Sequence, residues 1–96
     1  MTSEDKTYNG WTNYETWVLN MWMSNDEGSW DYWLKEGMRV QDVSDLSKLM
    51  KEHYEEQLPK LEGFAADLLN AAMSEVNWYE LAEHVDAEAK EGESVL

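Results

Sequence analysis

A chain of 96 residues holds one hydrophobic core and not two, and its 21 acidic residues against 7 basic ones leave a net charge of −14. That charge opposes a compact state by self-repulsion and repels both nucleic acid and anionic membrane, so neither is expected as a direct partner and a basic protein is. The absence of Cys excludes disulfides, a thiolate nucleophile and a Cys-type zinc site, and fits a reducing compartment.

Residues 1–8 read as a polar, flexible arm, acidic and unlike a secretory signal. Residues 9–90 read as a single helical domain and residues 91–96 as a flexible acidic tail. Asn9-Gly10 is a turn dipeptide, since Gly adopts positive φ at no steric cost. Thr12 followed by Glu15 forms a capping box that starts a helix at about residue 13. Tyr14, Trp17, Val18, Met21 and Trp22 then recur at i, i+3, i+4, i+7 and i+8, one broad apolar face expected at the heart of the core.

Asn25-Asp26-Glu27-Gly28 breaks this helix, and Ser29 is the expected cap of a second over residues 30–40, carrying Trp30, Trp33, Leu34 and Met38. Gly37 costs about 1 kcal/mol against Ala inside a helix and points to an early end. Ser44 is expected to cap a third helix over residues 45–57, with Leu46, Leu49, Met50 and Tyr54 inward and Glu52, Glu55 and Glu56 outward. Pro59 ends it. A fourth helix, residues 61–75, is rich in Leu and Ala, and Ala65, Ala66, Ala71 and Ala72 allow a neighbour to approach closely. Asn77-Trp78-Tyr79-Glu80 repeats the capping logic for a fifth helix with Trp78, Leu81, Ala82, Val85 and Ala89 inward and Glu80, Glu83 and Asp86 outward. No stretch alternates long enough to demand a strand, residues 38–43 alone being ambiguous. The expected fold is all-α, four or five short helices around a Trp-rich core.

Enzyme chemistry finds no support in these patterns. His53 and His84 lie on different helices outside any catalytic or metal-ligand spacing, and no phosphate-binding or nucleophile-elbow motif occurs. No cofactor or metal is expected. Charge distribution is more informative: residues 61–89 contain seven acids and neither Lys nor Arg, forgoing the i,i+4 pairs that stabilise an ordinary exposed helix. Carboxylates three or four residues apart on a helix lie ~4.5–6 Å apart along its axis. Adjacent acidic helices therefore approximate the phosphate charge of a duplex, one per ~1.7 Å of axis. Asp67, Glu75, Glu80, Glu83 and Asp86, with Glu52 and Glu56, are the expected partner-binding residues.

The nonapeptide NGWTNYETW, residues 9–17, resembles the opening of a family of small accessory proteins of phages and plasmids. The strings DLLNAA at 67–72 and SEVNW at 74–78 resemble the same family. Membership implies a mobile-element context without an established chemistry. The run Asp45-Leu46, Pro59, Ala66-Asp67-Leu68-Leu69 and Ser74-Glu75 is similar in order to part of the Ocr-type antirestriction DNA mimics of phages. The expectation is a cytoplasmic, non-enzymatic inhibitor that imitates DNA charge and blocks a basic nucleic-acid-handling complex of the host, a restriction or CRISPR effector. The alternative is an adaptor that binds a phage or plasmid protein through exposed aromatics, Trp11 and Trp30 first among them.

Overall fold

A computed structural model describes residues 7–95. The chain folds into five helices: α1 (Tyr14–Asn25), α2 (Glu27–Arg39), α3 (Val43–Glu56), α4 (Gly63–Ser74) and α5 (Trp78–Val95). Apart from one isolated bridge between Tyr8 and Trp11, the described residues contain no strand. None of these helices is long and apolar enough to cross a membrane. The all-α expectation holds, and residues 38–43 are the end of α2, a short connection and the first residue of α3.

α5 is the axis of the molecule. Leu81, Ala82, Val85 and Ala89 follow a helical period and all are buried, and α2 and α3 pack along them while α1 crosses near the start. α2 contributes Trp33, and α3 contributes Leu46 and Met50. Gly37 does not end α2 early. A Cβ placed there would lie 3.2 Å from Val85 Cγ1 and 3.3 Å from the Ala89 Cβ, so the missing side chain is what lets α2 and α5 approach so closely. The loss of helix propensity is offset by contact between the two helices.

α1 presents a different face from the one its aromatics suggest. Thr16 and Met23 are its buried residues, with Leu19 packed behind them, whereas Tyr14 is exposed and Trp22 is 69% exposed. Trp17, Val18 and Met21 are half-buried. The apolar stripe expected at the heart of the core is rotated outward. Thr16 takes the inner position because its hydroxyl finds two hydrogen-bond partners there, as described below.

The caps shift by one to three residues towards acids and amides. Asn13, not Thr12, caps α1, its Oδ1 accepting from Thr16 N at 3.0 Å. Asp26 rather than Ser29 caps α2, accepting from Gly28 N and Ser29 N at 3.0 and 3.2 Å. Asp42 rather than Ser44 caps α3, at 2.7 and 3.3 Å from Ser44 N and Asp45 N. A carboxylate at the positive end of a helix gains from the macrodipole as well as from the hydrogen bonds, which favours Asp over a nearby Ser.

Both ends of the described residues carry regular backbone structure. Tyr8 N donates to Trp11 O at 2.9 Å and Trp11 N to Tyr8 O at 2.8 Å, a two-residue hairpin closed by Asn9 and Gly10 at φ 48° and 88°. Positive φ at both central residues is what a type I′ turn requires and Asn-Gly tolerates. The Tyr8 ring packs at 4.9 Å from Tyr14 and 4.8 Å from Trp17, so the arm is fastened from Tyr8 onward; residues 1–6 lie outside the described residues. At the other end α5 continues to Val95, past the expected break at residue 90, and Leu96 lies outside the described residues.

α4 stands apart. It contains no buried residue and makes only marginal contact with the other helices; Phe64 is 79% and Leu68 65% exposed. Among the described residues no helix packs closely along Ala65, Ala66, Ala71 and Ala72, although Ala65, Ala66 and Ala72 are half-buried.

Candidate functional site

The two stretches with the densest sequence signal meet in space. Residues 12–16 and 75–80 lie at the starts of α1 and α5, and each helix start completes the hydrogen bonding of the other. Thr16 Oγ1 donates to Asn13 Oδ1 at 2.6 Å and accepts from Asn77 N at 2.9 Å. The Glu80 carboxylate accepts from Thr12 N at 3.0 and 3.2 Å, while Asn77 Oδ1 accepts from Glu80 N at 3.0 Å. Asn13 Nδ2 donates to Glu75 O at 2.6 Å and Asn77 Nδ2 to Thr12 Oγ1 at 3.2 Å. A capping box normally closes within one helix; here the back-bonding halves are exchanged between two helices about sixty residues apart in sequence. Polar groups so arranged hold α1 across the end of α5. The motif residues are therefore committed to structure.

This clasp revises the acidic surface. Glu80 is half-buried and its carboxylate is occupied by Thr12 N, so it does not belong to an open charged face. Asp86 is half-buried and paired with Lys90. Lys90 lies just beyond the sign-pure run and folds back onto it through the i,i+4 geometry of α5. Glu83 on α5, Asp67 and Glu75 on or just after α4, and Glu52 and Glu56 on α3 are all exposed. Of the seven expected residues, five are exposed acids, carried by α3, α4 and its C-cap, and α5. Among the described residues the ion pairs are Lys35–Asp31, Arg39–Glu36 and Lys90–Asp86, and none engages those five. The Arg39 guanidinium, with Nη2 2.5 Å and Nε 3.2 Å from Glu36 Oε1, holds the Glu36 carboxyl below its usual value, chiefly through the hydrogen bond. No group of three or more His, Asp or Glu residues among the described residues could hold a metal ion.

Both histidines serve packing. The His84 ring lies 5.2 Å from Trp11 and 5.8 Å from Trp30. Those two tryptophans, expected to be the exposed ones, are half-buried against the core. His53 lies among Tyr32, Trp33 and Tyr54 at 5.7, 5.2 and 5.0 Å.

Two concave features border helix ends. A groove of about 280 Å³ runs between α1 and the end of α4, lined by Tyr14, Val18, Leu19, Ala72, Met73 and Val76 with Glu15 at its edge. A wider cleft of about 550 Å³ opens between the end of α1, the start of α2 and the end of α3, among Trp22, Asp26, Ser29, Tyr32, His53, Tyr54 and Gln57.

A family model matches residues 4–92, nearly the whole chain and both halves of the clasp; it describes a family of unknown function, DUF7249. The chain belongs to DUF7249. No curated protein and no solved structure matches it. For this DUF7249 member, sequence reasoning overlooked the 550 Å³ cleft. The overlooked signal was Trp22 beside Asn25-Asp26. An aromatic in the last turn of a helix, followed directly by an N-cap Asp, is placed where two helix ends meet and not along a packed flank.

Proposed function

We propose that this DUF7249 chain is a mobile-element-encoded, non-enzymatic inhibitor acting in the cytoplasm of a host bacterium. Its acidic surface occupies the Lys/Arg-lined channel of a nucleic-acid-handling defence complex, a restriction or CRISPR effector, and denies it to DNA. The observation that carries the reading is that Glu52, Glu56, Asp67, Glu75 and Glu83 are exposed and free of ion pairs in a chain of net charge −14. Charge left without internal partners is a standing attraction for a basic surface and acts most strongly on the rate of encounter.

The test is a fivefold variant, Glu52→Gln, Glu56→Gln, Asp67→Asn, Glu75→Gln and Glu83→Gln, which spares Glu80 because its carboxylate belongs to the clasp. Removing like charges leaves the fold as stable as the parent or slightly more so. Affinity of the parent for its target falls steeply with salt, and the variant associates more slowly and loses protection against restriction or CRISPR interference. Undiminished protection by the variant rules this reading out.

A second reading is favoured by a specific feature. Phe64 and Leu68 on α4 are exposed apolar side chains, as is Tyr14, which lines the α1–α4 groove, and an adaptor would use such residues to hold a phage or plasmid protein. That contact would be nearly independent of salt and would be lost on Phe64→Ser with Leu68→Ser, not on changing Trp11 or Trp30.

A further inference from the structure

We propose that the cleft between α1, α2 and α3 is a receptor for an arginine side chain of the partner protein. The proposal deepens the reading above, since it rests on a basic partner, and it names the group that partner inserts.

The walls are aromatic. Trp22 and Tyr32 are both large and exposed, and the Tyr32 ring is stacked on His53 at 5.7 Å with 28° between planes. Tyr54 closes the floor, its ring nearly perpendicular to His53. Exposed aromatic faces carry negative quadrupole density and attract a planar cation, with arginine preferred over lysine because its guanidinium stacks as well.

Two oxygens in the cleft are left free to accept. Asp26 uses Oδ1 for both of its capping bonds, which leaves Oδ2 uncommitted. Gln57 Nε2 lies 2.7 Å from His53 Nε2, so with the amide donating to the ring the Gln57 carbonyl oxygen is free to accept. Trp33 Nε1 donates to the Tyr54 hydroxyl at 3.1 Å, and that hydroxyl lies 3.4 Å from Ser29 Oγ. No Lys or Arg lines the cleft. A guanidinium offers five donors and no acceptor, which suits the free oxygens of Asp26 and Gln57; a phosphate or carboxylate would meet Asp26 with the same sign.

Helix ends add to the field. The cleft lies at the C-terminal ends of α1 and α3, where unsatisfied carbonyls make the potential negative, and the last turn of α1 contains no base. The N-terminus of α2 opposes them, but its positive end is already met by Asp26. The net bias is towards a cation.

The experiment titrates the intact protein with Nα-acetyl-arginine methylamide, followed by NMR. The Trp22 indole and the Tyr32 and His53 rings report. Saturable shifts confined to these residues are expected, with half-saturation in the millimolar range. The neutral citrulline analogue, identical in shape, should bind about tenfold more weakly because it cannot make the charge-assisted bond to Asp26. Asp26→Asn should weaken the arginine probe about fivefold or more while keeping the helix cap, since Asn caps as well as Asp; Trp22→Ala should weaken it similarly. Equal binding of the citrulline analogue overturns the proposal, as do arginine-induced shifts spread over the acids of α5 instead of the cleft. A target bound with steep salt dependence but indifferent to Asp26→Asn and Trp22→Ala overturns the cleft alone. A saturable cleft in a protein that inhibits no defence complex overturns the inhibitor reading alone.

Discussion

α4 and α5 follow one another in the chain and show opposite relations between composition and burial. α4 is mostly apolar, with Asp67 its single charged residue, yet none of its residues is fully buried. α5 carries six acids and one Lys along Trp78–Val95 and buries four of its described side chains as the axis against which α2 and α3 pack. Apolar content tells how much surface a helix wants to bury, not whether a neighbour is there to cover it. α5 succeeds because Leu81, Ala82, Val85 and Ala89 form a narrow, regular stripe with small residues in it, which lets two helices approach. The apolar residues of α4 spread around most of its circumference, and no single packing partner covers them. A helix of that kind is suited to an external partner.

The largest effect should separate two tryptophans. Trp33→Ala removes a side chain that is 1% exposed and should cost ~3–5 kcal/mol, enough to unfold a domain of this size. Trp22→Ala should change the melting midpoint by no more than ~0.5 kcal/mol worth of stability. A comparable loss in both would mean that Trp22 is held against the protein in solution.

The two consecutive helices give the next contrast. Leu81→Ala on α5 should cost ~2–5 kcal/mol and Leu68→Ala on α4 within ~0.5 kcal/mol, as measured by denaturant unfolding. If Leu68→Ala costs as much as Leu81→Ala, α4 is covered, by a second copy or otherwise, and its independence is refuted.

The clasp ranks third. Thr16→Val keeps the shape of a fully buried side chain but strips Asn77 N and Asn13 Oδ1 of a partner, a loss of ~1–3 kcal/mol. Thr12→Ala leaves the Thr12 N–H bond to Glu80 in place and should cost less than Thr16→Val. The reverse order would restore Thr12 as the cap of α1.

The smallest effect is electrostatic. With the Glu36 carboxyl held below its usual value by Arg39, its contribution is present above the unfolded carboxyl pKa and lost as pH falls through the lower folded value. Glu36→Gln should therefore lower stability slightly at neutral pH and not at all in acid. A difference that persists at low pH would assign the effect to packing.

Local chemistry in the sequence carried much of this architecture. The five helices were legible because apolar spacing and the breaks at Asn25-Asp26, Asp42, Pro59 and Val76-Asn77 depend on neighbouring residues alone. So was the inner face of α5, where small and apolar residues share one period. The acidic excess and the lack of catalytic spacing needed no fold at all. What tertiary structure decided was orientation. Which face of α1 turns inward was set by Thr16 bonding to Asn77, a partner sixty-one residues away that no helical period reveals. That same crossing withdrew Glu80 from the charged surface, and Lys90 partly withdrew Asp86. Trp22 and Asp26 became walls of one cleft only when the ends of α1 and α3 met the start of α2. Periodicity measures how apolar a face is; only the assembled chain determines what lies opposite, and burial is a property of both.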